Sequence, residues 1–240
     1  MIIFPAIDIR NGKCVRLIQG DYDREIIYGD APTEMAKLWA QQEAEWLHIV
    51  DLDGARVGQG ANQQAIEAIV QAVNIPVQVG GGIRSMDVIE QYIENGVERV
   101  IIGTAAITNR KLVEEAVARY GAKIAVSIDA KNGFVATDGW TETTKTSALT
   151  MLKELAEIGV QTFVYTDIAK DGMMQGPNFE ELKAASIATN VDIIASGGVS
   201  TVQDVATLSE MHLYGAIVGK ALYEENVTLA QLKAGVKHEA

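Results

Sequence analysis

The sequence predicts an α/β fold, a closed (β/α)8 TIM barrel built from two half-barrel repeats. Three observations lead there. Short β-branched apolar runs alternate with longer amphipathic segments from one end of the chain to the other, the alternation occurs eight times, and the second half repeats the motifs of the first in order. Parallel strands covered on both faces read as nearly continuous apolar runs. Eight β-then-α units in 240 residues also match the usual size of such a barrel. A doubly wound open sheet is the alternative, and the even length of the units favours closure.

The strands are expected at 2–8 (IIFPAID), 46–52 (WLHIVDL), 75–80 (IPVQVG), 99–103 (RVIIG), 123–129 (KIAVSID), 162–167 (TFVYTD), 191–196 (VDIIAS) and 215–219 (GAIVG). Between them, PTEMAKLWAQQEAE, NQQAIEAIVQAV, SMDVIEQYIENG, NRKLVEEAVARYG, SALTMLKELAEIG and NFEELKAASIA carry helical periodicity. Several of these begin at Ser, Thr or Asn and end at Gly, the residues that cap helices. No linker or low-complexity tract interrupts the pattern, so residues 1–240 are expected to form one domain, with half-barrels at about 1–120 and 121–240.

The repeat is clearest in a doubled phrase, AIDIRNG at 6–12 and SIDAKNG at 127–133, which sets Asp8 against Asp129. GGGIRS and SGGVST align Gly82 with Gly198, and IIGTA and IVGKA align Gly103 with Gly219, both at an offset of 116 residues. A weaker pair, VDLDG and YTDIAKDG, sets Asp51 against Thr166. A repeat speaks to architecture first, and the chemistry is argued separately.

Composition narrows the function. The net charge of −12, spread along the chain, disfavours nucleic acid, which needs a basic face. No apolar run approaches the ~18 residues of a membrane span. MIIFPAIDIR lacks the basic n-region of a signal peptide, so the cytoplasm is the expected location. The single cysteine excludes an internal disulfide, and Cys14 is expected as a half-buried strand residue rather than a nucleophile. His48, His212 and His238 share no metal-ligand spacing, and His48 reads as a residue packed in its strand. No GxGxxG follows the first strand, and DIAKDGMMQG fails the spacing of a calcium loop.

What remains is anion binding and proton transfer. Glycine-rich turns at strand C-termini let backbone N–H groups converge on one anion. GGGIRS with GTA (Gly82, Gly103, Thr104) forms one candidate phosphate nest, and SGGVST with GKA (Gly197, Gly198, Gly219, Lys220) the other. Arg84 and Lys220 are the nearby cations, or else solvated surface charges. Asp8 and Asp129 end equivalent strands between the nests, where a carboxylate reads as catalytic, although each Asn-Gly that follows also suits an Asp that caps a loop. Two carboxylates suit general acid–base work without metal or covalent nucleophile, one held protonated and one ionised; symmetry alone does not say which. Trp140, in a polar loop, is either a stacking platform or a staple for that loop.

PAIDIRNGKCVRLIQGDY, HIVDLDGA, VGGGIRS, IIGTAAI, SIDAKNG, DGW, TDIAKDGMMQGPN, ASGGVS and IVGKA, in this order, resemble the phosphoribosylformimino-aminoimidazole-carboxamide ribotide (ProFAR) isomerase family of histidine biosynthesis over essentially the whole chain. The resemblance implies a half-barrel-repeat barrel and an Amadori rearrangement of a bis-phosphate aminoaldose (ProFAR) to its aminoketose (PRFAR). It implies no cofactor and no metal; a monomer is expected. By the same resemblance Asp8 is the general base at the sugar C2 and Asp129 the general acid at the ring oxygen. Thr166 and Asp171, with Gly172 beside it, support the acid and the sugar. Arg16 lies within reach of the substrate near the first Asp, and Trp140 stacks on the aminoimidazole carboxamide. Three alternatives remain: the cyclase subunit of imidazole glycerol phosphate synthase, whose first strand usually reads Cys-Leu-Asp; a bifunctional isomerase that also takes phosphoribosyl anthranilate; and a non-catalytic bis-phosphate-binding barrel. Bifunctional members carry an Arg two residues before the loop tryptophan, where this chain has Asp138.

Overall fold

Eight parallel strands close on themselves. In chain order the strands of the sheet are β1 (Ile2–Arg10), β2 (Lys13–Ile18), β3 (Asp21–Gly29), β4 (Leu47–Asp51), β5 (Val77–Gly80), β6 (Arg99–Ile102), β7 (Ile124–Lys131), β8 (Phe134–Thr137), β9 (Glu142–Ser147), β10 (Thr162–Asp167), β11 (Asp192–Ser196) and β12 (Gly215–Val218). The barrel runs β1-β4-β5-β6-β7-β10-β11-β12, and β12 pairs in parallel with β1 to close it. The structure is a computed structural model that describes residues 1–58, 60–137, 140 and 142–237. Asp138 and His238 lie outside the described residues.

Strand alternation separates two cores. Phe4, Ala6, Ile101, Ala125, Val164, Ile194 and Ile217 fill the barrel interior. Their neighbours along the same strands, such as Ile3, Ile7, Ile49, Val100, Val126, Phe163, Ile193 and Val218, belong to the larger core between the barrel and its helices. Near the strand N-termini the interior is closed by an aromatic layer, with Phe4 5.8 Å from the Trp46 ring and 6.4 Å from Tyr214. In chain order the α-helices before β12 are α1 (Pro32–Gln41), α2 (Leu52–Val57), α3 (Gln63–Ala72), α4 (Met86–Glu94), α5 (Thr104–Thr108), α6 (Arg110–Tyr120), α7 (Ala148–Glu157), α8 (Phe179–Ala188) and α9 (Val202–Glu210). α2 and α5 are short and follow β4 and, after Gly103, β6; the longer ones pack outside. Ser85, Asn109, Ser147, Asn178 and Thr201 cap their helices through the side chain as the sequence suggests. Asn62 does not cap α3; its side chain is engaged by Asp51 instead.

The doubled phrase is a hairpin. Both residues of Asn11-Gly12 (φ 49° and 73°) and of Asn132-Gly133 (φ 53° and 78°) adopt left-handed backbone. That geometry matches the twist of two antiparallel strands and favours Asn-Gly. β1 and β7 therefore run past the barrel rim and fold back as β2 and β8. Asp8 and Asp129 sit within these strands, opposite Val15 and Thr166 respectively, rather than in the loops after them. Cys14, on β2, is fully rather than half buried, because β2 is sandwiched between β1 and β3.

One pairing of the repeat shifts by a residue. Asp51 accepts from the Gly54 N–H, the Asn62 N–H and the Asn62 amide. Asp167 accepts from the Ala169 N–H and the Asn178 amide. The structural counterpart of Asp51 is therefore Asp167, and Thr166 corresponds to Val50. The segments at 50–62 and 166–178 align without a gap at the same 116-residue offset as the glycine motifs.

Candidate active site

The C-terminal ends of the barrel strands surround one cavity, lined among others by Asp8, Arg16, His48, Ser127, Asp129, Thr166, Asp171 and Ser196. Alternation places them there. Asp8, Ser127, Asp129, Thr166 and Ser196 continue the inward rows that lower down carry Ala6, Ala125, Val164 and Ile194. A smaller cavity, lined by Gly172, Gly197, Gly198, Gly219 and Lys220, adjoins it and shares Arg16, Asp171, Ser196 and Ile217. The two predicted glycine nests thus lie at this rim, Gly82, Gly103 and Thr104 on the large cavity and the second set on the small one.

Arg16 ties the site together. Its Nη1 donates to Asp8 Oδ2 at 2.8 Å, and its Nη2 stands 4.0 Å from Asp171 Oδ1. The guanidinium lies directly over Gly219, where any side chain would overlap it. One cation therefore reaches a carboxylate and the second nest together, because the hairpin carries β2 back over the barrel mouth. Lys220 donates to the Gly172 carbonyl at 3.2 Å. Arg84 is more exposed; it covers Gly58 and donates to the Ala55 carbonyl at 3.1 Å.

Gly198 differs from its sequence reading, in which the glycine serves the ligand's approach. At φ 85°, a Cβ there would collide with the Gly176 carbonyl of the neighbouring loop. Close packing of protein backbone already requires this glycine. A large side chain at this position strains the loop itself, so a well-folded Gly198→Val variant is not expected.

Three carboxylates share the pocket. Burial pushes Asp8 up to about 6, with Arg16 opposing and the Asp171 charge reinforcing the shift. Burial likewise raises Asp129, opposed by hydrogen bonds from Trp140 and Thr166 and aided by Asp171. Asp171 is raised by burial against the pull of Arg16. Burial thus disfavours the ionised form of all three, and Arg16 offsets this for Asp8 and Asp171 but not for Asp129. Trp140, at φ 73°, packs its ring on Gly20 and donates its indole N–H to Asp129 Oδ2 at 2.8 Å. It is thus a staple of the loop and a partner of the acid as well as a wall of the cavity.

His48 and Ser127 line the cavity but were not singled out as site residues by sequence. His48 is indeed packed in a strand, yet on its inward face. The available signal was alternation: Ser127 lies two residues before Asp129, and His48 is the inward neighbour of Val50 on β4.

The family model for histidine biosynthesis proteins matches residues 2–228. The chain belongs to that family. It is 59% identical over 235 residues to a protein of Oceanobacillus iheyensis, with 98% of each chain covered. It is 50% identical over 237 residues to one of Bacillus pumilus, covering 98% of this chain and 97% of that one. It is 52% identical over 227 residues to one of Clostridioides difficile, covering 95% of each. All three are named 1-(5-phosphoribosyl)-5-((5-phosphoribosylamino)methylideneamino) imidazole-4-carboxamide isomerase.

Proposed function

We propose that the protein is the aldose–ketose isomerase of histidine biosynthesis that converts ProFAR to PRFAR, with Asp129 as general acid and Asp8 as general base. The observation that carries this reading is the pair of buried carboxylates, both shifted upward by burial, that face one cavity with a glycine nest toward either side. The two nests suit the two terminal phosphates, with Arg84 and Thr104 at one and Arg16 and Lys220 at the other. Asp129, protonated, gives its proton to the ring oxygen of the aminoaldose; the C1–O bond breaks and the nitrogen lone pair forms the C1 iminium. Asp8, ionised, then takes the C2 proton, and the C–H electron pair forms the enolamine. Protonation at C1, with loss of the C2 hydroxyl proton to form the C2 carbonyl, completes the aminoketose, so atoms and electrons balance without redox. Thr166 donates to Asp129 and so helps orient it. Trp140 offers the face of its ring to the carboxamide heterocycle.

A carboxylic acid of ordinary pKa is almost entirely ionised at pH 7 and makes a poor proton donor. Burial shifts Asp129 upward from that range, toward the donor form, and Asp8 at about 6 remains mostly ionised at pH 7, as a base must be. Among the described residues no helix is long and apolar enough to cross a membrane. We further propose a monomeric cytoplasmic enzyme, one domain of two half-barrels, that does not bind nucleic acid; the net charge of −12 supports the last point. The test is turnover of the purified protein on the aminoaldose with no added metal, glutamine or ammonia, with phosphoribosyl anthranilate as the second substrate tried. The aminoketose as product supports the assignment, and no turnover refutes it. A product formed only with ammonia supports the cyclase, and turnover of the anthranilate supports the bifunctional enzyme.

A further inference from the structure

Below Asp8 the barrel interior holds a row of polar side chains that the proposed proton transfers leave unused. His48 on β4, Gln78 on β5 and Arg99 on β6 are register neighbours, His48 opposite Gln78 and Gln78 opposite Arg99. All three are buried, Gln78 completely. The interior around them is otherwise apolar, so each polar atom placed there needs a partner.

The partners are ordered. Arg99 Nη1 donates to Gln78 Oε1 at 3.2 Å, and Arg99 Nη2 to the Tyr214 hydroxyl at 3.3 Å. The same guanidinium stacks 4.6 Å from the Trp46 ring centre and 5.4 Å from that of Tyr214, which holds it in place. Gln78 Nε2 lies 3.0 Å from His48 Nδ1. A guanidinium has donors only, so the end of the Gln78 amide that it meets must be the oxygen. The other end then has donors only, and His48 Nδ1 has to accept. A neutral imidazole that accepts at Nδ1 carries its hydrogen on Nε2.

His48 reaches the same cavity as Asp8 and Arg16. Burial, with Arg16 adding to it, pushes its pKa down to about 3, so the ring stays neutral. Neutrality matters beside Asp8. An imidazolium there would hold the carboxylate ionised and weaken it as a base, whereas a neutral N–H can bond a sugar oxygen without that effect.

We propose that Arg99 and Gln78 are positioning residues that lock His48 in its Nε2–H tautomer, making it a fixed neutral hydrogen-bond donor to a sugar oxygen next to the carbon that Asp8 deprotonates. The second half of this statement rests on the isomerase reading; the tautomer does not.

The test is a side-chain 1H–15N correlation spectrum of the full chain labelled with 15N-histidine, at pH 7, with the His48 signals assigned by their loss in His48→Gln. The expected result is a neutral ring protonated at Nε2 alone. In Gln78→Glu the carboxylate still accepts from Arg99 but has no hydrogen to offer, so His48 should change to the Nδ1–H form. The turnover number should fall about tenfold, the value of one hydrogen bond of ~1.4 kcal/mol, with little change in KM. His48→Gln, which keeps an amide N–H at the Nε2 position, should retain more turnover than His48→Leu. A wild-type ring protonated at Nδ1 overturns the proposal even if no variant folds. So does a changed tautomer that leaves turnover unaltered. A wild-type protein that shows the Nε2–H form but no isomerase activity refutes the isomerase reading and the donor role that rests on it, while the relay geometry stands.

Discussion

Removing the Arg16 charge should move the pH dependence of the reaction. A base must be ionised, so kcat/KM of the wild-type enzyme should fall as the pH drops through about 6, where burial has brought Asp8. Arg16 works against that burial from 2.8 Å. Two unit charges ~4 Å apart interact by ~4 kcal/mol at an effective dielectric of 20, equivalent to ~3 pKa units at 1.36 kcal/mol each. Measured effects of one opposite charge at such range run ~1–3 units. In Arg16→Met the unbranched stem still fills the space while the charge is gone, so the acid limb should rise to about pH 7–9 by that range. Arg16→Lys keeps a charge and should hold the limb near the wild-type position. The assay is kcat/KM from pH 5 to 10 for the three proteins. Both substitutions also lower the plateau, since Arg16 borders the second nest, but the plateau height does not shift the limb. Titration of the substrate phosphates is common to all three and cancels in the comparison. If the Arg16→Met limb coincides with that of the other two, the reasoning that Asp8 is the titrating base and that its ion pair with Arg16 tunes it is refuted.

Four other substitutions test the remaining parts of the site. Asp8→Asn and Asp129→Asn should each lower turnover by at least the ~10²–10⁴-fold that acid–base catalysis supplies, while calorimetry still detects binding of the bis-phosphate product; near-normal turnover in either would remove that residue from the chemistry. Trp140→Phe keeps a ring on Gly20 but removes the donor to Asp129, so the acid's pKa should rise and the basic limb of kcat should move to higher pH; an unmoved limb would show that the indole N–H does not tune the acid. Gly198→Ala forces a Cβ against the Gly176 carbonyl at φ 85°. A strain of ~1–3 kcal/mol should lower the melting temperature by several degrees and weaken the second phosphate site; an unchanged melting temperature would contradict the packing argument.

The strands and both acidic residues were legible because one physical rule governs them. A barrel strand has an inward row and an outward row, and the apolar runs, the terminal Asp and the following Asn-Gly all obey the same two-residue period. The strand at 162–167 matches to the residue and the other seven barrel strands differ only at their ends, whereas β2, β3, β8 and β9, which extend the hairpins beyond the barrel, are not among the expected strands. The reading weakened wherever a contact crosses strands. The pairing of Asp51 with Thr166 is one residue off because the Asp-Gly of VDLDG and that of YTDIAKDG stand at different distances from their strands; the common 116-residue offset pairs Asp51 with Asp167, and the Asp51–Asn62 and Asp167–Asn178 bonds agree. Gly198 lines the smaller cavity, but the carbonyl that demands a glycine belongs to residue 176 in another loop.

Arg16 shows how the catalytic pair acquires unequal partners in a duplicated frame. Asp8 and Asp129 occupy equivalent strand positions and are followed by the same hairpin turn. The strand that returns beside Asp8 brings a guanidinium, whereas Asp129 is met by the neutral donors of Trp140 and Thr166. A full charge favours the ionised carboxylate far more than neutral hydrogen bonds do in a buried site. The side that holds a cation is therefore the side fitted to keep its carboxylate ready to accept a proton, and the side without one is fitted to hold a proton and release it. On the proposed mechanism, the division between base and acid, which the repeat alone leaves undecided, rests on what each hairpin and loop delivers to its Asp.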